Sequence, residues 1–316
     1  MESRAVTVHR HLEDLADVTG PLHLALGVFD GVHLGHQAVI GAALKFADIG
    51  GGSAVVVTFH PHPASFFAPE RAPRLLTSLE HRLQLIESGG IHEAIVLAFD
   101  ATLANAEPED FIQKLATVNP QGLASVSVGA DWTFGKGRRG NVSLLRQLGM
   151  ACGFEVSALP LVEVEGYRVS STAIRLAISQ GDLPAATAML GRPFTLLGTV
   201  VPGRRLGREI GFPTANLETG AIMAPASGVY AVRVELPQGG SRSGVANLGW
   251  RPTVEGSTGG APRLEVHLFD FDNDLYGNAL EVTFIERLRE ERKFPDLESL
   301  RTQIQLDVLA ARKVLR

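Results

Sequence analysis

The amino-acid sequence predicts two domains, an α/β half built on a parallel sheet and a β-rich half that ends in a helix. Three observations point there. A chain of 316 residues is too long for one ordinary core. Up to about residue 190, short apolar runs alternate with helical patterns, which implies a parallel sheet covered by helices on both faces. Beyond Gly191-Arg192-Pro193, one strand pattern follows another with Gly and Pro turns between them, which suggests a small barrel or sandwich. The boundary falls near 184–193, giving domains 1–186 and 187–316.

Each element has its own warrant. Leu22 to Phe29 is an apolar run that reads as a buried strand, and Val39, Ile40, Ala43, Leu44 and Ala47 mark one face of the helix after it. Ala54–Phe59, Ala94–Leu97, Ala124–Val128 and Val156–Leu161 read as further strands. Helical spacing is found near His81–Glu87, Glu109–Ala116, Ser143–Leu148 and Thr172–Ile178. In the second half, strands are expected at Phe194–Val201, Val229–Leu236, Gly244–Leu248, Leu264–Phe271 and Leu280–Leu288. A last helix fits Pro295–Leu315, with Leu297, Leu300, Ile304, Val308, Ala311 and Leu315 on one face. Gly239-Gly240-Ser241 and Gly256 to Gly260 read as plain loops.

Composition narrows the class. Hydrophobic content of 45% with a mean hydropathy of +0.12 describes a globular chain with ample core material. A net charge of −5 offers no general attraction to nucleic acid or to an anionic membrane. A single Cys excludes an intramolecular disulfide and fits a reducing cytoplasm. Met1 to Asp17 lacks a continuous apolar segment, so it does not read as a signal peptide, and no apolar run reaches membrane-spanning length. The expectation is a soluble cytoplasmic protein.

The most informative stretch is Gly27-Val-Phe-Asp-Gly-Val-His-Leu-Gly-His36, which falls on a strand-to-helix turn. Such a turn aims free amides and the positive end of the helix dipole at an anion. Gly31 and Gly35 allow a ligand close to the backbone. His33 and His36 lie three apart and can face the same side. Nucleotide chemistry is one reading. Histidines at this spacing can also ligate zinc, although the only thiol, Cys152, lies far along the chain.

Three further clusters follow strands or open helices. Thr58-Phe-His60-Pro61-His62-Pro63 follows a strand, where open α/β sheets hold ligands, and is alternatively a Pro-rigidified turn. Gly129-Ala-Asp131-Trp-Thr-Phe134-Gly135 also follows a strand and leads into Lys136, Arg138 and Arg139, cations suited to phosphate or simply solvated. Arg168-Val-Ser-Ser171-Thr172 opens a helix with Arg175 in its first turn. Those hydroxyls can cap the helix and the arginines can hold phosphates.

Taken in order, the decapeptide, Thr58–Pro63, Gly129–Gly135 and Ser170-Ser-Thr-Ala-Ile-Arg175 resemble the adenylyltransferase module of the prokaryotic bifunctional riboflavin kinase/FMN adenylyltransferase family, or FAD synthetases. The likeness continues through Leu190-Gly-Arg-Pro193, Gly198, Gly203, Gly211-Phe-Pro213-Thr214-Ala-Asn216, Gly244-Val-Ala-Asn-Leu-Gly249, Arg251-Pro-Thr253, Glu265-Val-His267 and Asp274-Leu-Tyr-Gly277. It runs from about residue 20 to the C-terminus. The resemblance implies a Rossmann-like nucleotidyltransferase domain with a parallel sheet, then an antiparallel six-stranded β-barrel of riboflavin kinase type with a terminal helix. It also implies riboflavin, FMN, FAD and ATP as small-molecule partners, with Mg²⁺ as cofactor.

In the first domain the resemblance implies attack by the FMN phosphate on the ATP α-phosphate. It would place Gly27, Phe29, Asp30, Gly31, His33, Gly35 and His36, with Arg168, Ser171, Thr172 and Arg175, around ATP. His60 to Pro63, Asp131 and Phe134 would lie toward the nucleotide or flavin. In the second domain it assigns Mg-ATP to Gly203, Gly207, Gly211 and Pro213 to Asn216, where Thr214 and Asn216 offer hard oxygens. Glu265 would be general base on the ribityl hydroxyl, while Arg287 and Phe294 would lie beside the flavin. His60 stands where the family more often has an acid, and His81 where Lys is common. Competing readings are a chain with one active half, a flavin-nucleotide carrier without turnover, and a relative of the aminoacyl-tRNA synthetases. The last is disfavoured by the acidic charge and by the lack of a recognisable tRNA-binding module.

Overall fold

The computed structural model describes residues 5–203, 206–250 and 262–316, with the side chains of Leu206 and Trp250 outside that description. The expected Arg251-Pro-Thr253 motif and the Gly256 to Gly260 loop lie outside the described residues. The chain forms two compact units, residues 1–73 with 79–170 and residues 74–78 with 171–316.

The first unit is an all-parallel six-stranded sheet. Its strands are β1 (Thr7–His9), β2 (Leu22–Leu26), β3 (Ser53–His60), β4 (Glu93–Ala98), β5 (Leu123–Gly129) and β6 (Glu155–Leu159), in the order β1-β4-β3-β2-β5-β6. Strands buried on both sides must be apolar at every position, which is why they read as runs rather than alternations. Leu24, Leu26, Val55, Val57, Val126 and Val128 face one core, shared with Phe111, Ile112 and Leu115 of α3 (Pro108–Thr117) and Leu145 of α4 (Val142–Cys152). Ala25, Val56, Ala94 and Val96 face the other, under Val39, Ile40 and Ala43 of α1 (Leu34–Gly50) and Leu83 and Ile86 of α2 (Leu79–Ser88). The doubly covered sheet is as expected. β1 was not predicted, since three residues are too few for a period; it pairs with β4, and His9 bonds Glu93 at 2.8 Å.

β2, β3 and β4 build outward on one side, and β5 and β6 on the other, so the strand order reverses beside β2. Ligands in open α/β sheets bind at that reversal, outside the carboxyl ends. The Gly27–His36, Thr58–Pro63 and Gly129–Gly135 segments stand at the carboxyl ends of β2, β3 and β5.

The second unit opens with α5 (Ser171–Gln180) and α6 (Leu183–Leu190). Pro184 hides α6 in the sequence, yet proline is tolerated in a first turn, and Asp182 caps that turn by accepting from Ala185 N. A closed antiparallel barrel follows: β7 (Thr195–Val201), β8 (Ala215–Glu218), β9 (Gly228–Glu235), β10 (Ser241–Trp250), β11 (Pro262–Leu268) and β12 (Ala279–Arg289), in the order β7-β8-β11-β10-β9-β12. Tyr230, Val232, Leu248, Leu264, Val266, Leu280, Val282 and Phe284 are fully or almost fully buried. Alternate residues of β11 (Arg263, Glu265 and His267) face outward and are only half-buried.

The terminal helix α7 (Leu297–Val314) packs on that outer wall, where Val308, Ala311 and Leu315 meet Val229, Ala231, Val245 and Phe269. Leu297 is exposed, so the apolar face expected from spacing is used only from its second turn onward. A bidentate ion pair ties helix to wall: Arg289 Nε and Nη2 donate to the carboxylate of Asp307 at 2.8 and 2.7 Å. Gln303 Nε2 also donates to Asp307, at 2.7 Å. Removing one partner of a buried pair leaves the other unmatched. Asp307→Ala should therefore cost the second unit about 3 kcal/mol, measured by urea denaturation. The Arg289→Ala/Asp307→Ala double variant should cost less than the two single losses added together. A loss under about 1 kcal/mol for Asp307→Ala would show the pair to be only a surface contact.

Candidate functional site

In the first unit, the turn after β2 is held in an uncommon backbone form. Phe29, Gly31 and Val32 have φ of 54°, 84° and 41°. For a phenylalanine and a β-branched valine such angles are strained, and they persist only where the surroundings enforce them. Phe29 and Val32 are buried, Val32 N donates to Phe29 O at 3.1 Å, and the Val28 carbonyl accepts from Thr58 Oγ1 at 2.9 Å and from Arg82 Nη1 at 3.0 Å.

His33 caps α1, its Nδ1 accepting from His36 N at 3.3 Å. An Nδ1 that accepts is unprotonated, so the neutral His33 ring carries its proton on Nε2. The two imidazoles stand on the same side, as their spacing allows, and stack with centroids 3.6 Å apart and 15° between planes. A Cβ on Gly35 would come within 3.2 Å of the His33 ring, so glycine is what lets the rings approach. The edge of Phe29 meets His36 at 5.3 Å. His36 titrates well below its usual range, because burial, then His33 and Arg82, disfavour a second positive charge. Its Nδ1 is buried without a hydrogen-bond partner. The pair thus caps the start of a helix of 17 residues, with His36 held neutral.

His60 is exposed at the end of β3; its pKa is lowered by partial burial first, then by Arg82 and Arg10. His62 caps the short turn Pro63–Phe67, accepting from Ala64 N at 3.0 Å. Asp131 accepts from Arg168 at 2.6 Å, with both side chains exposed. Phe134, expected toward the ligand, is buried in the core and stacks on Trp132 at 4.4 Å. In the basic loop, Lys136 and Arg139 pair with Glu107. Ser171, Thr172 and Arg175 open α5 in the second unit, where Arg175 Nε donates to the Arg74 carbonyl at 2.7 Å. Among the described residues no group of three His, Cys, Asp or Glu is placed to hold a metal.

In the second unit a cavity of about 510 Å³ lies between the outer wall of the barrel and α7. Strand register builds its floor: Asn216 of β8 and Asn247 of β10 both stand opposite Glu265 of β11, making one polar row across three strands. Burial of Glu265, undecided by the sequence, is partial, and its carboxylate pairs with Arg263 two residues earlier. Gly207, Thr214 and His267 also line the cavity. His267 Nδ1–H donates to the Pro213 carbonyl at 2.8 Å, tying β11 to the Pro213–Asn216 segment. A Cβ on Gly203 would fall 2.2 Å from the Asn216 amide, so that backbone rests directly on it. Gly211 has φ of 87° and is not part of the lining.

At the other end Phe294 lines the cavity, with the guanidinium groups of Arg292 and Arg289 at 4.9 and 5.7 Å from its ring. Arg287 does not reach the cavity. Two register shifts in the β9–β12 pairing turn it toward the Ser227 carbonyl and bring Arg289 to the cavity instead.

Sequence reasoning passed over three contributors. Asn247 lay inside a quoted motif at alternate spacing from Val245 and Gly249. Arg289 was hidden by the bulges. Arg82 had a plain signal: with Leu79, Leu83 and Ile86 it completes an i, i+3, i+4, i+7 stripe, so a cation stands on an apolar face.

Two family models match in sequence: FAD synthetase over residues 16–173 and riboflavin kinase over residues 190–315. The chain belongs to the bifunctional riboflavin kinase/FMN adenylyltransferase family. Members from Pseudomonas fluorescens (42% identical, 91% of each chain), Haemophilus influenzae (39%, 92% of each) and Bacillus subtilis (37%, 90% of this chain and 89% of that one) align nearly end to end. A crystal structure described as a macrolide-efflux protein from Streptococcus pneumoniae shares the fold at a TM-score of 0.82 and 30% identity, covering 98% of this chain and 99% of that one. Among the described residues no helix is long and apolar enough to cross a membrane.

The depressed His36 pKa sets a sign. In the fold the ring stays neutral below its ordinary value of 6.5, whereas the unfolded chain takes up a proton there. Stability fully present above pH 6.5 is therefore lost as pH falls below it. Thermal melts from about pH 7.5 to 5 should show a steeper decline for the native protein than for His36→Gln. Parallel curves would show that His36 is not held neutral.

Proposed function

We propose that the two ATP-dependent steps of FAD synthesis are divided between the units, with the functional boundary at 186/187. Residues 187–316 phosphorylate riboflavin to FMN, and residues 1–186 transfer an adenylyl group from ATP to FMN with release of pyrophosphate. The observation that carries the division is the Asn216–Glu265–Asn247 row in the barrel cavity, distinct in chemistry from the stacked His33–His36 cap.

In the barrel, Glu265 accepts the proton of the ribityl hydroxyl as the γ-phosphoryl moves, and Arg263 orients its carboxylate. Thr214 Oγ1 and Asn216 Oδ1 are the hard oxygens suited to Mg²⁺, which keeps most of its waters and takes phosphate oxygens besides one or two protein ligands. The Gly203 backbone pressed on the Asn216 amide fits that cradle. Magnesium, when bound, neutralises phosphate charge. Phe294, with its flanking guanidinium groups, offers an apolar edge to the isoalloxazine.

In the α/β unit no covalent intermediate is needed, so positioning and charge stabilisation supply the catalysis. The α1 amides and the His33 Nε2–H face the ATP phosphates, and neutral His36 packs behind them. Arg168 faces the same phosphates, and Asp131 positions Arg168. The net charge of −5 leaves nucleic acid without a role, and an ATP-rich reducing cytoplasm is the compartment that suits both steps.

Flavins separated after incubation of the protein with riboflavin, ATP and Mg²⁺ test the division. Glu265→Ala should slow FMN formation by at least ~100-fold while FMN supplied directly is still converted to FAD. Loss of both steps in folded protein would overturn the assignment. Chelating magnesium should stop riboflavin phosphorylation, and readdition should restore it.

A further inference from the structure

Beneath the His33–His36 cap lies a charged side chain that neither the sequence motifs nor the family likeness assigns. Arg82 of α2 is completely buried. Its Nη1 donates to the Val28 carbonyl at 3.0 Å and approaches Thr58 Oγ1 and the Phe59 carbonyl, each at 3.4 Å. Those acceptors belong to two separate segments, the turn after β2 and the last residues of strand β3. Its Nε and Nη2 have no hydrogen-bond partner. Placing a guanidinium in a core is costly, and burial indeed lowers its own pKa, opposed by the nearby Asp30. An apolar residue at that position of the α2 stripe would avoid the cost.

We propose that Arg82 is the positioning residue of the adenylyltransferase site, joining the turn after β2 to the end of strand β3 in one frame and keeping the histidines beside it uncharged. The inference rests on the assignment of the His33–His36 cap to FMN adenylylation. Its first effect is geometric. The Val28 carbonyl precedes the strained Phe29, whose ring edge meets His36, so a donor at Val28 sets the angle at which the cap is presented. Its second effect is electrostatic. The charged or titratable groups acting on His36 are His33 and Arg82, and those acting on His60 are Arg82 and Arg10; Arg82 alone reaches both. A permanent cation of high pKa behind two imidazoles keeps them neutral without being able to give up its own proton under the same conditions.

The test compares Arg82→Gln, which keeps an N–H donor without charge, with Arg82→Lys, which keeps charge without the fork. For Arg82→Gln, kcat of FMN adenylylation should fall on the order of 100-fold with a smaller change in KM for ATP. The acid limb of its pH profile, and the His36 imidazole titration followed by NMR, should both move to higher pH. Arg82→Lys should leave both titrations in place and recover most of the turnover. A structural plug would instead lower melting temperature and activity together, with the acid limb unmoved in either variant, and that result overturns the proposal. Should Arg82→Gln not fold, Arg82→Lys still decides, because an acid limb displaced despite retained charge overturns it. His36→Ala separates the layers. If it leaves adenylylation intact, the site assignment fails; if it abolishes adenylylation while Arg82→Gln does not, only the role of Arg82 fails.

Discussion

Parallel pairing is the constraint from which the adenylyltransferase half follows. Six strands all run one way, and the inner four, buried on both faces, have no room for chemistry along their length. Polar groups inside such a sheet must be satisfied on the spot, as His23 is, bonded to Ser125 Oγ at 2.8 Å and to the Gly51 carbonyl at 2.9 Å. What remains is the carboxyl edge, where β2, β3 and β5 release their chains side by side. The strained Phe29–Val32 turn, the His60–Pro63 turn and the Asp131–Arg168 pair are there because parallel strands put them there.

The barrel solves a different problem with a different surface. Antiparallel strands alternate, so one face fills the barrel and the other is left outside. On β11 that alternation sends Leu264 and Val266 in and Arg263, Glu265 and His267 out. The outer face becomes a site only because α7 covers part of it. The helix packs tightly at Ala311 and Leu315, while nearer its start Leu300, Ile304 and Asp307 line the cavity. The Arg289–Asp307 pair thus has two consequences, since it holds the helix and bounds the cavity.

The sequence made most of this legible where a period or a turn residue carried the information. Runs of Val and Leu announced the strands, and His33 and His36 at i, i+3 announced two rings on one side, though not that they stack. What escaped was set by register. Nothing local to Asn216, Asn247 and Glu265 says that they share a row; that follows from which strands pair and with what offset. Arg289 lines the cavity where Arg287 had been expected, because bulges in the β9–β12 pairing shift the facing by a residue. Phe134 was misread because an aromatic in a ligand-like loop and an aromatic folded back into the core look alike until Trp132 is seen lying on it.

The two halves meet the same substrate, ATP, with opposite means, and the surroundings of each site explain why. The barrel cavity is open along a strand face and is lined by neutral polar side chains such as Thr214 and Asn216. The sheet-edge site has a helix N-terminus already supplying positive potential. A doubly charged pair of imidazoles 3.6 Å apart would repel itself in so confined a place. Neutral rings avoid that repulsion while still offering an N–H to phosphate. Neutrality, however, has to be enforced, because an incoming polyanion favours protonation of whatever imidazole it meets. A buried guanidinium close to His36 is the kind of group that can oppose that tendency, since it carries a positive charge of its own.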